Sequence, residues 1–475
     1  MRLDDTKKQH RFSLPFHVSR KLDISKTKYW LIKVGGILSA FLIAGILCTI
    51  FKPNTFGEFY KQMFLGVVNP AIPARTMEFL FNFGLYILVA LGLSLAFKMK
   101  FWNIGGEGQI LVGALACAGI VKFLAMTAMP DALIIIISLL GSIAAGILWG
   151  VIPAIFKALF NTNETLFTLM MNYIAVGLIA IFINIWNPGG SQQFGTLTRG
   201  VLPKLFGVDY LFALIFVVVV AILIIVYIKK TKHGYEIAVV GESVNTARYV
   251  GINVKKVIIR TMILSGAICG LVGFLLVSGN SISSLNKDIA GGRGFTGVLI
   301  AWLASFKPSQ IILYSGLTAF FSRGSYWAAS NIGIEKDYFS PIITGIFFLA
   351  VIASEFFVNY KVMMKQPLGE YFKGLFKRNK KNGQEEVLEV ATDPIAVTGY
   401  SNEEPVEAKE EPVEKEELKE DAKSTTEKAK KSSKTNKKPA KVENNTKKAS
   451  GETTKKKAPN KKPTTEKKTN SKEGK

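Results

Sequence analysis

The stretch Phe101–Trp102–Asn103–Ile104–Gly105–Gly106–Glu107–Gly108–Gln109 lies between two hydrophobic runs, Glu78–Phe97 and Ile110–Met129. A glutamate, a glutamine, an asparagine and three glycines are crowded into it. In a soluble protein such a stretch reads as a loop. Between two runs this apolar, it belongs in or at the edge of a bilayer. An ionisable residue there is expensive and marks a working site by default. The rest of the chain reads as a frame around it.

A bilayer core takes about 20 apolar residues per helix, and residues 31–360 supply about ten such runs. They are Leu31–Phe51, Glu78–Phe97, Ile104–Met129, Ala132–Phe156, Thr165–Ile185, Leu211–Ile228, Val257–Val277, Gly292–Ser305, Ile311–Ser330 and Phe339–Phe357. The eighth is short and opens on Gly291–Gly292–Arg293–Gly294, which predicts a broken helix. The first run is a retained helix: Phe51–Lys52–Pro53 offers no small-residue cleavage site. The expected fold is all-α, a polytopic membrane body with a basic N-terminal segment (1–30) and a charged tail (361–475).

Basic residues set the orientation, because cytoplasmic loops are enriched in Lys and Arg. With the N-terminus inside, segments 1–33, 98–100, 157, 229–260 and 307 hold 20 basic residues, against eight in the outer segments. Both termini are therefore expected inside. The net charge of +24 is unevenly spread. Residues 1–360 carry 30 basic and 15 acidic residues, 381–420 carry 4 and 13, and 421–475 carry 19 and 6. Topology explains much of the body's charge, so nucleic-acid binding is not implied. From residue 366 on, the chain lacks apolar surface for a core, and a disordered cytoplasmic tail is expected. It is either simply solvated or drawn to anionic lipid or RNA.

The remaining features are mostly structural. Cys48, Cys117 and Cys269 each fall inside an apolar run, and His10, His17 and His233 are scattered. Neither set offers a disulfide framework or metal-ligand spacing, so no metal or cofactor is expected. Gly146/Gly150 and Gly266/Gly270 have the four-residue spacing that lets helices pack closely. The polar interruption 229–260 contains Gly241–Glu242–Ser243–Val244–Asn245–Thr246–Ala247–Arg248–Tyr249–Val250–Gly251. Glu242 or Ser243 suits a helix start and Gly251 a stop, which predicts a helix of about two turns. So short a helix needs something to dock on, either its own loop or a partner. The chain has no Gly-x-x-x-x-Gly-Lys-Ser/Thr loop for cradling phosphate.

Asn103-Ile-Gly-Gly-Glu-Gly-Gln109 resembles the hallmark of membrane permeases of nucleoside-type ABC importers, relatives of ribose and branched-chain amino-acid permeases. Gly241–Gly251 resembles that family's cytoplasmic loop. Asn163–Tyr173 and Gly294–Leu303 also look like family blocks, and together the blocks reach from about 76 to 358. Val298–Trp302 is bulkier than the family pattern, and the tail has no counterpart in it. The resemblance implies a non-enzymatic permease domain over 31–360 in a bacterial cytoplasmic membrane. It also implies an ABC ATP-binding subunit that hydrolyses ATP, a substrate-binding lipoprotein, a second permease subunit, and nucleosides as cargo. Gly241, Glu242, Asn245, Ala247, Arg248, Tyr249 and Gly251 would then couple to the ATP-binding subunit. Other readings are a ribose-like sugar permease, an ion-coupled transporter in which Glu107 titrates, and a membrane scaffold acting through its tail.

The substrate-path candidates are Asn82, Glu107, Gln109, Asn172, Tyr173 and Arg293. Glu107 reads either as a residue at a helix break on the path or as a cap at the cytoplasmic edge. Asn172 needs hydrogen-bond partners in the bundle or in a substrate, Tyr173 and Trp186 offer rings to a base, and Trp186 fits an interfacial anchor better. Asn163 and Glu164 suit a helix cap. Finally, Gly105-Gly-Glu-Gly and Gly291-Gly-Arg-Gly both precede apolar runs. In this topology those runs cross in opposite directions, as paired breaks of an inverted repeat do. Glu107 and Arg293 are expected at matching breaks, unless the glycine pattern is coincidence.

Overall fold

The computed structural model describes residues 16–21, 24–188, 193–279 and 284–364. All of them belong to one compact unit, Met1–Leu388, and the second unit, Glu389–Lys475, lies outside the described residues. The expectation of a disordered tail from 366 onward therefore falls outside them too.

The described chain is a helical bundle. Its helices are α1 (Lys26–Phe51), α2 (Phe56–Val67), α3 (Pro73–Lys98), α4 (Gly106–Leu124), α5 (Asp131–Phe160), α6 (Glu164–Trp186) and α7 (Leu211–Lys230), then α8 (Lys232–Glu242), α9 (Val244–Tyr249), α10 (Val254–Ser278), α11 (Arg293–Leu303), α12 (Pro308–Ile332) and α13 (Lys336–Asn359). Eight of them are long and apolar enough to cross a membrane: α1, α3, α4, α5, α6, α7, α10 and α13. All ten predicted runs are helical, but two differ from a plain span. The eighth is the 11-residue α11. The ninth is α12, 25 residues long, with Ser315, Thr318, Ser322, Arg323 and Ser325 along it.

Sequence reading missed α2 and α8. Both are amphipathic rather than uniformly apolar. α2 buries Phe59, Met63, Gly66 and Val67, a helical-period stripe, and exposes Glu58 and Lys61. The body also holds four short strands that an all-α reading did not include. β1 (Phe16–Arg20) pairs antiparallel with β4 (Tyr360–Met364), and β2 (Gln193–Phe194) with β3 (Leu285–Asn286). β4 takes the first residues of what was expected to be tail. Because β1 precedes α1 and β4 follows α13, the pairing puts both ends of the described body on one face.

Local sequence explains where helices begin. Pro73 and Pro308 open α3 and α12, where a missing N–H costs nothing. Asn163 caps α6, its Oδ1 accepting from Leu166 N at 3.1 Å, and Asn253 caps α10 in the same way. Glu164, the next residue on α6, pairs with Lys157 of α5 at 2.9 Å.

α3 and α10 are the most enclosed helices, and α10 packs on α3, α4 and α5. The α5–α10 seam is built on the paired glycines. A Cβ at Gly146 would lie 2.4 Å from the Gly266 carbonyl oxygen, and one at Gly266 would lie 2.5 Å from that of Gly146. No side chain fits, so the backbones touch. In a bilayer, where apolar burial gives no drive between helices, such close packing supplies the attraction.

Candidate functional site

α3 ends at Lys98, and the chain doubles back through Lys100, whose φ is +58°. Residues 101–105 are not helical, yet Phe101, Asn103 and Gly105 are buried. Irregular backbone at depth must find internal partners, and here it does. The Asn103 carboxamide oxygen accepts from Gly105 N at 3.0 Å. Thr168 of α6 accepts from Ile104 N at 3.2 Å. Asn172 donates to the Ile104 carbonyl at 3.0 Å and accepts from Gly108 N at 2.8 Å. These side chains serve Ile104 N and Gly105 N just before α4 and Gly108 N in its first turn.

Glu107 instead turns to another helix. Its Oε1 accepts from Gly292 N at 2.8 Å and its Oε2 from Gly294 N at 2.6 Å. It caps α11, where negative charge is favoured by the helix dipole. Gly291 and Gly292 both take left-handed φ, +55° and +70°, to turn the chain into α11. Gly294 is pressed onto α4 so closely that a Cβ would sit 2.2 Å from Glu107 N. The two Gly-Gly-x-Gly segments thus each open a helix, and the first turns of those helices touch.

A Cβ at Gly297, one turn along α11, would be 3.4 Å from Ala90 N of α3, so α11 is held between α3 and α4. Glu107 is 8% exposed. It caps α11, whereas one sequence reading had it cap its own helix at the cytoplasmic edge.

On the far side of α11, Arg293 Nη2 donates to Asn82 Oδ1 of α3 at 2.8 Å. Arg323 of α12 donates to the same oxygen at 3.2 Å and pairs with Glu78 at 3.1 Å. Asn82, Glu107 and Arg293 are thereby brought together around α11. Gln109 (1% exposed) and Asn172 lie on the other side of the first turn of α4, against Asn103 and Gly150. Tyr173 is 68% exposed, outside this junction. Trp186 lies at the end of α6, beside Lys122. Sequence reasoning missed Asn103, Glu78 and Arg323. Arg323 carried a usable signal, an ionisable residue inside an apolar run.

The second candidate region is the 229–260 segment. The side chain of Ser243 caps α9, accepting from Thr246 N at 3.2 Å, and Gly251, with φ +82°, follows its end. α9 spans six residues. Ala247 is buried, whereas Glu242, Asn245, Arg248 and Tyr249 are exposed, Tyr249 at 93%. Gly241 has a packing role: a Cβ there would lie 1.8 Å from the Lys98 carbonyl oxygen, so α8 rests directly on the end of α3. A groove of about 460 Å³ beside α9 is lined by Lys232, Tyr235, Glu236, Asn253 and Lys256 among others. His233 fastens α8 to its neighbours. Its Nδ1 pairs with the Tyr227 hydroxyl of α7 at 2.7 Å, and its Nε2 with Thr261 of α10 at 3.2 Å. Burial pushes its pKa below the ordinary value, the Arg260 charge adds to this, and Glu236 opposes it.

Residues 75–352 match the family described as the permease component of branched-chain amino acid transport systems. The chain is 30% identical to the guanosine ABC transporter permease protein NupP of Bacillus subtilis, over 58% of this chain and 80% of that protein. It is 26% identical to the nucleoside ABC transporter permease protein NupB of Lactococcus lactis, over 69% of this chain and 92% of that one. A glucose ABC transporter permease protein of Haloferax volcanii, TsgB13, is 28% identical over 58% of this chain and 75% of its own length. No solved structure matches.

Proposed function

Because the chain belongs to the family of permease components of branched-chain amino acid transport systems, we propose that it is the membrane-spanning subunit of an ATP-driven importer that carries nucleosides across the cytoplasmic membrane. The observation that carries this reading is the alignment along 80% and 92% of two nucleoside-class permeases. In this reading α11 and α12 join the eight apolar helices to make ten crossings, with both termini inside. The β1–β4 pairing supports the termini sharing a side. An ATP-binding subunit grips the exposed face of α9, a lipoprotein delivers cargo from outside, and a second permease completes the pathway.

Alternating access then runs through the Glu107 junction. α8 bears on the end of α3 at Gly241, and α3 is clasped to α11 through Asn82 and Arg293. Movement of α9 by the partner is passed along this chain to the first turns of α4 and α11. Asn82, Glu107, Arg293, Gln109 and Asn172 belong to the moving junction. Tyr173, being exposed, serves the path only if the second permease covers it.

The test is uptake of labelled nucleosides by vesicles holding the assembled importer. ATP-dependent uptake that fails without the ATP-binding subunit is the expected result. Uptake without that subunit would instead favour the ion-coupled reading, and saturable uptake of a ribose-like sugar alone would favour the sugar permease. Removal of residues 366–475 is expected to leave uptake in place, and loss of all function on that removal would favour the scaffold.

A further inference from the structure

The cluster formed by α3, α11 and α12 has more donors than acceptors. Arg293 and Arg323 converge on a single carboxamide oxygen, that of Asn82, at 2.8 and 3.2 Å. The Asn82 amide nitrogen is committed to the Glu78 carbonyl at 2.8 Å. Glu78 is the carboxylate paired within the cluster, through Arg323. Glu107, the next nearest acid along α11, has both oxygens occupied by Gly292 N and Gly294 N. Two guanidinium groups therefore face one directly paired carboxylate, five residues from the Pro73 start of α3.

The unpartnered atoms point the same way. Arg293 Nη1 donates to the Ala290 carbonyl at 3.1 Å and Nη2 to Asn82, but Nε is buried with no partner. The Nε–Nη2 edge is the fork with which Arg engages two adjacent acceptors, and here half of it is unused. One helical turn beyond Arg323, the Trp327 indole Nε1 is also buried without a partner. Both orphans are donors. A buried donor left unmade is costly and asks for an acceptor. The cluster is not sealed: the Arg323 and Glu78 side chains remain 21% and 24% exposed. Beside the polar stripe, α3 carries Phe79 and Phe83 with stacked rings 6.4 Å apart.

We propose that Glu78, Asn82, Arg293, Arg323 and Trp327 form a recognition site for the 6-oxopurine edge of a nucleoside. This rests on the nucleoside reading above and narrows it. A 6-oxopurine presents O6 and N7 as neighbouring acceptors, the pattern an Arg fork matches. Its N1–H suits the Glu78 carboxylate, and the apolar face of the base suits the Phe79–Phe83 stripe. Adenine puts an N6 donor where O6 would be, against a site whose spare groups are donors. Sites built to hydrogen-bond one edge reject its isostere strongly.

The experiment is competition for uptake in vesicles holding the complete importer, with guanosine, inosine, adenosine and uridine, for the unaltered chain, Arg293→Lys and Trp327→Phe. The same lipoprotein is present throughout, so its own selectivity cancels in the variant-to-wild-type ratio. Arg293→Lys keeps the charge and removes the fork. Trp327→Phe removes the indole N–H together with one fused ring, which also lies on the Arg75 guanidinium at 4.0 Å, so its effect is read in the ratio between nucleosides; it tests the site even if the lysine variant is poorly inserted. The expected result is a guanosine-to-adenosine and inosine-to-adenosine KM ratio raised about tenfold by Arg293→Lys and about threefold by Trp327→Phe; because Arg293 also clasps α11 to α3, the lysine variant additionally lowers uptake of all four nucleosides. Unchanged ratios in both variants at unchanged membrane abundance overturn the site. No uptake of any nucleoside by the unaltered importer overturns the functional reading and the site with it.

Discussion

The two oxygens of Glu107 accept from backbone N–H groups 185 and 187 residues further along the chain. Each is a charge-assisted bond to a buried carboxylate, and such bonds contribute about 1.5–3 kcal/mol. In Glu107→Gln one oxygen becomes an NH₂ that faces another donor. The expected loss is about 2–3 kcal/mol, read as a lower unfolding temperature of the purified protein, with uptake down more than tenfold. His233 makes a different prediction. Burial holds its folded pKa below the ordinary 6.5, so the folded state takes up its proton later than the unfolded state does. Its stabilising contribution is complete above that value and is lost as pH falls below it, down to the folded pKa. His233→Gln should be less stable at pH 8 and should flatten the stability profile between pH 7 and 5, as followed by thermal unfolding. Both residues were within reach of the sequence to different degrees. Glu107 announced itself as a charge among glycines in an apolar setting, whereas His233 looked scattered, because its partners Tyr227 and Thr261 come from two other helices.

At the scale of the element, α9 illustrates how a local signal and a tertiary one combine. Ser243 and Gly251 specify a cap and a stop, and those were legible; the burial of Ala247, which the resemblance placed among the coupling residues, was not. A six-residue helix has no stability of its own. It is held by the buried Ala247 and by α8, which is pinned in turn at Gly241 and His233. Arg248→Ala with Tyr249→Ala removes exposed groups that the fold does not use. Membrane insertion and unfolding temperature should be unchanged, while nucleoside-stimulated ATP hydrolysis by the assembled importer falls more than tenfold; unaltered stimulation would remove α9 from the coupling role. α2 was not legible, since its apolar stripe is narrow and broken by Glu58 and Lys61. α11 was visible as an interruption because Gly291–Gly292 can take the left-handed turn that ends one course and begins another.

Across the whole molecule, glycine contacts decide which helices become neighbours. Gly266 and Gly146 let α10 and α5 meet backbone to backbone. In Gly266→Val the new side chain would meet backbone rather than a movable side chain, so the two helices must part. Overpacking of this kind costs about 1–3 kcal/mol or more, and the expected outcome is reduced folded protein in the membrane, measured by protease resistance of the inserted chain. The sequence by itself determined the helical membrane body, the approximate positions of its apolar helices, the uneven spread of its basic residues, and the glycine-rich segments at 105–108 and 291–294. These are local properties: apolar length, charge and the backbone freedom of glycine fix them without reference to neighbours. Only the tertiary structure decided that the two glycine segments meet, that Glu107 serves the later helix, and that Arg293 and Arg323 share the oxygen of Asn82. Those facts depend on residues up to 241 positions apart finding one another, and no local pattern records a partner that distant.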